Sequence, residues 1–513
     1  MSVRTERSDA AEGMAASVEG MAASVEHPRD SRARRNLLLA AAPAVLVGIL
    51  IRAWLLQSPL LAVNADEAIT GLQGYEILHG RFRLIVSGND YGSTTESYLV
   101  APLLTFWSGV WPLRIVFVLL SILAAYALFR LARPLLGRVP ALGLALTMWT
   151  MSSAVVVLFS HMYMGYPTGF IAQVATLALA CHAMRSRDRL ARTAAWAGLA
   201  AGFAIWSHPM FGVVALLALV VPSFSHWNRL LRWWIPMAAG GLVGVSPWLL
   251  YMARHGLPAS AAASSDATYS ERLRNFGTEL LPRAFGLRTP DGSFLGWPWL
   301  DITAAAVLIL GAVGGMVLLA ARKGAPALPI LVAGLLAFPI LAMFKPLGFF
   351  QDARYSLPFL PMLLMGLGAW SLLLPSRVRA SPWMLATVPT IWAVLLSVPV
   401  LRHETGWELR DPDTTPKQVA QELRDRDLHY LAGDYWGAYL VGYFADEQVT
   451  ARADGPVRLD EQARSVESAD PTQVAFIYPV GLPPTLKLPL KLPVEQYEVV
   501  TIDHYVLYLP LRR

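Results

Sequence analysis

The sequence predicts a multi-spanning α-helical membrane protein of about 11 transmembrane helices, followed by a small C-terminal α/β domain. Three observations lead to this fold class. The 513 residues are 55% hydrophobic and only 15% charged, which is more apolar and less charged than a typical water-soluble protein. The apolar residues form runs about as long as a bilayer-crossing helix. Arginine is concentrated in every second connection between those runs, as expected for cytoplasmic loops.

The N-terminal residues 1–35 are predicted to form a disordered cytoplasmic tail. They are small and polar, contain a tandem EGMAASV repeat, and end in a basic cluster. The apolar run that follows reaches the length of a full span, and no small-residue cleavage site interrupts it. We therefore expect a signal anchor that stays as the first helix instead of a cleaved signal peptide.

Apolar runs of span length occur throughout residues 36–401, which are predicted to form a transmembrane domain. A bilayer core about 30 Å thick needs roughly 20 apolar residues per helix. The fifth and sixth runs are short and are separated only by His208 and Pro209, so the total is uncertain by one or two spans. The predicted spans are 36–56, 113–133, 140–160, 167–184, 193–208, 209–225, 233–252, 302–321, 325–344, 356–375 and 381–401.

The positive charges give an independent test of this topology. With the N-terminus in the cytoplasm, the predicted cytoplasmic loops carry most of the arginine, whereas the short outward loops contain only Lys345 and Arg354. An odd number of spans then places the C-terminus outside. The net charge of +6 is thus a topology signal, and no basic face predicts a nucleic-acid partner.

Three segments outside the predicted spans are long enough to carry function, and all three face outward. They are 57–112, 253–301 and 402–513. The last is predicted to be a soluble α/β domain, with strands within 427–435 and 472–480, a short helix at 436–444 and a final strand or hairpin at 497–511.

Several classes of function lack the residues they need. The predicted spans contain almost no ionisable side chains, since His182 lies in the fourth and charges otherwise occur only at the ends, whereas ion-coupled transporters usually carry charged groups near the midplane. The sequence contains no GxxxxGK[ST], GxSxG, HExxH or CxxC motif. The single cysteine, Cys181, allows no intrachain disulfide.

The first long loop carries the candidate active site. Its apolar residues repeat every third position and Gly80 is placed as a helix stop, which predicts an amphipathic helix at the membrane surface. The repeating residues are Ile69, Leu72, Tyr75 and Leu78. Asp66 and Glu67 lie at the N-terminal end, where the helix dipole favours an ionised carboxylate. Spacing alone leaves open whether Asp66 only caps this helix.

A set of short motifs in this loop and near Arg354 resembles a known family. The motifs are Asp66-Glu67-Ala68, the run from Gly74 to Gly80, Tyr91-Gly92, Glu96, Ala101-Pro102, and Arg354-Tyr355 followed by Leu357-Pro358 and Pro361. They resemble the first outer loop and a late helix of GT-C glycosyltransferases. The resemblance is to the branch of protein O-mannosyltransferases and aminoarabinose transferases, which are glycosyltransferase family 39-like, and to their bacterial relatives. It covers about residues 36–375 and does not extend to the C-terminal domain.

This resemblance implies an inverting glycosyltransferase that moves a sugar from a polyprenyl-phosphate carrier to a glycan, lipid or protein acceptor on the outer face of the membrane. A lipid phosphate is already a good leaving group, so the main requirement is a carboxylate that deprotonates the acceptor. Asp66 is the candidate base. For Glu67, orienting the acceptor, binding a metal and capping the helix all stay open.

The departing phosphate needs cationic partners, for which Arg354 and Lys345 are the candidates. Contact with lipid headgroups is the alternative for both. The other candidate substrate-binding residues are Tyr91, Glu96, Tyr163, Tyr166, His161 and His208. Tyrosines at this depth also serve as interface anchors, and a histidine at a helix end is often a packed residue. A divalent metal is compatible with these side chains, but they are too scattered in the sequence to require one.

Two other functions stay open: a transporter or flippase of lipid-linked saccharides, and a non-enzymatic membrane sensor or assembly factor. The carboxylates at the start of the loop helix favour the enzyme, because a flippase needs none there. No endoplasmic-reticulum retention signal is recognisable, which favours the bacterial inner membrane.

Overall fold

The structure is a computed structural model, and it describes most of the chain beyond the predicted N-terminal tail. The described residues are 28–88, 91–151, 153–159, 161, 164–186, 188–256, 266–288, 297–343, 353–393, 395, 398, 402, 411–481 and 489–511. Most of the predicted tail, 1–27, therefore lies outside the described residues, as do Tyr163 and Lys345.

Helices dominate the chain as far as residue 393. In chain order they are α1 (Pro28–Leu55), α2 (Ala65–Leu78), α3 (Thr95–Leu104), α4 (Trp111–Leu136), α5 (Arg138–Trp149), α6 (Ser153–Leu158), α7 (Tyr166–Arg185), α8 (Leu190–Ser207), α9 (Pro209–Ser225), α10 (Ile235–His255), α11 (Tyr269–Asn275), α12 (Leu281–Ala284), α13 (Pro298–Lys323), α14 (Leu328–Leu341), α15 (Leu360–Ala369), α16 (Ser376–Arg379) and α17 (Trp383–Trp392).

Five of the described helices are long and apolar enough to cross a membrane. They are α1 from Arg35 onward, α4, α7, α10 with the π-helical turn that precedes it, and α13. Shorter apolar helices are α9, α14 and α15, the last two lengthened by short 3-10 turns. The chain is thus a multi-spanning integral membrane protein, and the count of about 11 spans stays a prediction.

The predicted third span, 140–160, is broken in the structure. Helix α5 ends at Trp149, whose carbonyl accepts a hydrogen bond (2.9 Å) from the guanidinium of Arg52 on α1. The same guanidinium lies 3.6 Å from the centre of the Trp149 ring. The short fifth and sixth spans are confirmed as two separate helices, with His208 extended between them and Pro209 at the first position of α9.

Glycines bring α8 and α10 into direct backbone contact. A Cβ at Gly198 would lie 1.9 Å from the carbonyl oxygen of Met237, and one at Gly244 would lie 2.3 Å from that of Leu199. Small residues that allow such close approach are typical of helix pairs in membranes.

Residues 411–481 and 489–511 form an α/β unit. It contains α18 (Thr414–Asp425), β1 (Tyr430–Gly433), α19 (Tyr435–Phe444), β2 (Thr450–Ala453), α20 (Asp460–Ser468), β3 (Val474–Pro479), β4 (Tyr497–Ile502) and β5 (Tyr505–Pro510). The sheet order is β2-β1-β3-β5-β4, with β1 parallel to both neighbours and β5 antiparallel to both of its own. The predicted strands, short helix and hairpin are confirmed, whereas α18, β2 and α20 were not predicted.

The predicted loop helix is present as α2, but its surroundings differ from the prediction. Its apolar residues share one buried core with α3, α4 and α19 of the C-terminal unit. The contact with α19 is so close that a Cβ at Gly71 would lie 2.2 Å from the Tyr443 ring. The helix is therefore enclosed by protein instead of lying exposed at the membrane surface, because the C-terminal unit covers its apolar face.

Candidate functional site

The first turn of α2 assigns the helix cap to Asn64. The Asn64 side chain accepts a hydrogen bond from the Glu67 N–H (3.0 Å), and the Glu67 carboxylate accepts one from the Asn64 N–H (3.4 Å). This reciprocal capping box satisfies two backbone donors at the helix start. Asp66 is thus not the cap, and its Oδ1 instead accepts a hydrogen bond (2.8 Å) from the Tyr435 hydroxyl.

Glu67 is fully buried and is held by the side chains of Arg114 and His161. Its carboxylate pairs with the Arg114 guanidinium, whose Nη2 lies 3.3 Å from Oε2, and the His161 Nδ1 lies 2.9 Å from Oε2. Burial alone raises the pKa of Glu67, but the charges of Arg114 and His161 and their hydrogen bonds outweigh it and hold the pKa at about 2. Glu67 therefore belongs to an ion-pair network that links α2 to α4.

A pocket of about 150 Å³ opens beside Asp66. It is lined by Asp66, Tyr91, Gly92, Met164, Tyr166, His208, Arg354, Tyr355 and Arg458. Five of these were predicted as site residues from the sequence, and they come from four separate segments of the chain. The structure thus brings the candidate base and the candidate phosphate ligand Arg354 to one cavity.

Aromatic rings form one wall of this pocket and hold Arg354. The His208 ring lies 5.2 Å from that of Tyr91 in an edge-to-face arrangement and 4.7 Å from that of Tyr166. The Arg354 guanidinium carbon lies 5.9 Å from the Tyr166 ring centre and 5.4 Å from that of Tyr355. These distances are within the range of cation–π attraction. The Tyr166 and Tyr355 rings therefore hold the Arg354 guanidinium, which lines the pocket.

Two predicted substrate-binding residues, Glu96 and His161, are not among the described residues that line the pocket. The Glu96 carboxylate is buried and accepts hydrogen bonds from the Gly165 N–H (3.1 Å) and the Thr168 hydroxyl (2.7 Å) at the start of α7. Burial raises the pKa of Glu96 to about 7 although these hydrogen bonds lower it. His161 contacts Glu67 and, through Nε2, the Leu60 carbonyl (2.7 Å). Both side chains hold loop segments in place from this position.

The remaining predicted residues, Lys345 and Tyr163, lie outside the described residues. Within the part of the chain that the structure describes, no group of three or more His, Cys, Asp or Glu side chains could hold a metal ion. Metal dependence stays untested.

Six of the described residues at or next to the site were not predicted: Gly92, Arg114, Met164, Tyr355, Tyr435 and Arg458. The sequence could have indicated Arg114, because a positive charge at the outward end of the predicted second span runs against the positive-inside rule. Tyr355 belongs to a quoted motif. Tyr435 and Arg458 lie in the C-terminal unit, where no local pattern marks them.

Comparisons with known proteins identify the fold of this chain. No protein-family model matches the chain, and no curated protein matches it in sequence. Solved structures do match it, and they are GT-C glycosyltransferases, so the chain has the GT-C fold.

Two of the matching structures are of ArnT, an aminoarabinose transferase, from Cupriavidus metallidurans. Its apo structure matches with a TM-score of 0.64 at 14% identity, covering 92% of this chain and 97% of that one. The structure bound to undecaprenyl phosphate matches with a TM-score of 0.58 at the same identity and coverage. The oligosaccharyltransferase of Archaeoglobus fulgidus in complex with zinc and sulfate matches with a TM-score of 0.50 at 11% identity, covering 86% of this chain and 68% of that one.

Proposed function

We propose that this chain is an inverting glycosyltransferase that moves a sugar from a polyprenyl-phosphate carrier to a hydroxyl or amine of a glycan, lipid or protein acceptor. The observation that carries the proposal is the shared pocket of Asp66 and Arg354. It combines a carboxylate that can take a proton with a cation that can bind a phosphate. The match to ArnT bound to undecaprenyl phosphate supports the same donor class.

The proposed reaction is a single displacement at the anomeric carbon of the sugar. Asp66 takes the proton of the acceptor hydroxyl or amine, and the freed electron pair of that oxygen or nitrogen forms the new bond to the anomeric carbon. The bond from this carbon to the phosphate oxygen breaks, and its electron pair leaves with the polyprenyl phosphate. Arg354 stabilises the negative charge that grows on the phosphate. Attack from the side opposite the phosphate inverts the configuration.

The surroundings of Asp66 suit the role of a base. Its Oδ1 is bonded to Tyr435, whereas no hydrogen bond joins Oδ2 to any residue that the structure describes. One oxygen is thus fixed and the other is available to the acceptor.

For the domain organisation we propose a catalytic transmembrane domain at 36–401, with 57–112 and 253–301 as its large outer loops. Residues 402–513 form the outer domain. The site then faces the outside of a bacterial inner membrane, the N-terminus is cytoplasmic and the C-terminus is outside. The arginine distribution supports this orientation.

The decisive experiment measures sugar transfer by purified protein from polyprenyl-phosphate donors, with Asp66→Asn as the test variant. Asparagine cannot take the proton, so the rate should fall by about 100- to 10,000-fold. Protein level and stability should stay unchanged, because the cap of α2 is Asn64.

The matched control is Asp446→Asn. Asp446 also accepts a hydrogen bond from a tyrosine, Tyr75, across the same interface, but it lies outside the pocket. This control should transfer sugar like the wild type. A folded Asp66→Asn protein with wild-type activity would remove Asp66 from the mechanism. A wild type that translocates lipid-linked saccharide without releasing polyprenyl phosphate would favour the flippase.

A further inference from the structure

We propose that the C-terminal α/β unit completes the active site: Arg458 is a second ligand of the donor phosphate, and Tyr435 is the positioning residue for the Asp66 carboxylate. This inference rests on the proposed function, and it gives the C-terminal unit a role that no sequence motif indicates. It follows from how the two side chains are held and from what they face.

Tyr435 is placed by the end of a strand and the start of a helix. Strand β1 ends at Gly433, and Asp434 caps α19 by accepting hydrogen bonds from the N–H groups of Trp436 (3.0 Å) and Gly437 (3.1 Å). Tyr435, the first residue of α19, therefore leaves the unit in a defined direction. Its hydroxyl lies 2.8 Å from Asp66 Oδ1, although the two residues are 369 positions apart in the chain.

The Tyr435 hydroxyl acts as a donor to Asp66. Burial and the negative charge of Asp66 raise the pKa of Tyr435 well above its ordinary value, so the phenol keeps its proton. This hydrogen bond fixes one oxygen of a carboxylate that lines the pocket. A base needs such fixed geometry, because small displacements from the attacking group cost large factors in rate.

Arg458 is held between the C-terminal unit and the first long loop. Its backbone N–H donates to the Tyr439 hydroxyl (2.8 Å), and its side chain donates to the Gly88 carbonyl (2.8 Å) and the Tyr435 hydroxyl (3.3 Å). The loop approaches so closely that a Cβ at Gly88 would lie 2.6 Å from Arg458 Cδ. Gly88 also has a φ of +68°, which favours glycine. The loop is thus shaped to receive this arginine.

The charge of the pocket fits a phosphate. Two guanidinium groups, those of Arg354 and Arg458, line the pocket together with the carboxylate of Asp66. The donor is a phosphate diester, and the departing polyprenyl phosphate has one more ionisable oxygen. Two cations match this growing charge better than one. Arg354 comes from the membrane domain and Arg458 from the C-terminal unit, so the phosphate would bridge the two.

Binding of undecaprenyl phosphate to the purified full-length protein tests Arg458. Arg458→Gln should weaken binding by about 10- to 100-fold, the range for one lost charge-assisted hydrogen bond. Arg458→Lys should recover part of the loss because it keeps the charge. The matched control is Arg452→Gln, whose ion pairs with Asp454 and Glu467 lie in the same unit but away from the pocket. It should bind like the wild type.

Transfer kinetics test Tyr435; its hydroxyl also accepts a hydrogen bond from Arg458, but Arg458 keeps the one to Gly88 in the variant. Tyr435→Phe removes a single oxygen, so the unit stays folded, and kcat should fall by about tenfold while the KM of the donor stays within about twofold. Tyr497→Phe is the control, since it loses one hydrogen bond, to the Leu492 N–H, in the same unit. If Tyr435 only stabilised the fold, Tyr435→Phe would not lower kcat while leaving the KM of the donor unchanged.

The outcomes separate this inference from the proposed function. If the wild type binds undecaprenyl phosphate and transfers sugar, but Arg458→Gln binds it equally well, Arg458 is not a phosphate ligand. Wild-type kcat in Tyr435→Phe would likewise refute its positioning role. If the wild type neither binds undecaprenyl phosphate nor transfers sugar, the proposed function fails and this inference fails with it.

Discussion

Asp66 and Glu67 are neighbours in the chain, yet their surroundings give them different capacities. Asp66 lines the pocket and receives one hydrogen bond from a tyrosine. Glu67 is enclosed by Arg114, His161 and the backbone of Asn64. Because these partners hold the pKa of Glu67 at about 2, it does not take up a proton near neutral pH. Of the two carboxylates, Asp66 is therefore the one that we propose as the base.

Glu67→Gln tests the structural assignment of Glu67. Removing one partner of a buried ion pair leaves the Arg114 charge uncompensated, which costs about 3 to 5 kcal/mol. We expect a clearly lower thermal unfolding midpoint in detergent, together with less folded protein. If instead the variant unfolds like the wild type but transfers no sugar, Glu67 belongs to the reaction.

Glu96 predicts a pH dependence of stability. Its pKa is raised to about 7 in the fold, so the folded state favours the protonated carboxyl. Its contribution to stability is therefore fully present below the unfolded pKa of about 4.3 and is lost as the pH rises to about 7. The loss amounts to roughly 3 kcal/mol. Unfolding midpoints measured from pH 4 to pH 8 should show a decline that Glu96→Gln reduces. An identical decline in the variant would exclude Glu96 as its source.

At the scale of elements, α2 depends on the helix that covers it. The three-residue repeat of apolar side chains and the glycine stop predicted its presence, and the structure confirms a helix at Ala65–Leu78 that ends just before Gly80. The same repeat could not show what packs on its apolar face. Any apolar surface of the right shape satisfies such a pattern, whether lipid or protein. Here that surface is α19, which lies more than 350 residues further along the chain.

Gly71→Ala tests the contact between α2 and α19. The added methyl group would meet the Tyr443 ring, and overpacking of this kind typically costs about 1 to 3 kcal/mol. We expect faster hydrogen exchange in α19 and a lower unfolding midpoint. The control is Gly277→Ala, where the added Cβ meets nothing within 4 Å. Equal exchange in α19 of both variants would mean that the two helices do not depend on this contact.

For the whole molecule, the main prediction concerns orientation in the membrane. Reporter fusions after Arg187 and Arg377 should report the cytoplasm, and fusions after Ser293 and Asp434 the opposite side, because arginine-rich short loops stay inside. The pocket residues Tyr435 and Arg458 belong to the C-terminal unit, so the fusion after Asp434 also reports the side of the active site. A cytoplasmic signal there would contradict both the orientation and a catalytic site outside.

The sequence by itself determined the membrane class, most of the helices, the C-terminal strands and the candidate carboxylate Asp66. These features depend on properties of neighbouring residues: the length of an apolar run, the spacing of side chains along a helix or strand, and the short motifs beside them. For the same reason, the broken third span escaped prediction. The hydropathy of 140–160 is continuous, whereas the carbonyl at the break is hydrogen-bonded to the guanidinium of Arg52, which comes from α1.

Only the tertiary structure decided how the site is assembled. Asp66, Arg354 and Arg458 meet in one pocket although they come from the first loop, a late membrane segment and the C-terminal unit. The ion pair of Glu67 with Arg114 and the hydrogen bond of Asp66 with Tyr435 span 47 and 369 residues. Contacts over such distances depend on how complete helices and sheets pack, and no local spacing encodes them. Two adjacent carboxylates therefore look alike in the sequence and acquire different chemistry only in the fold.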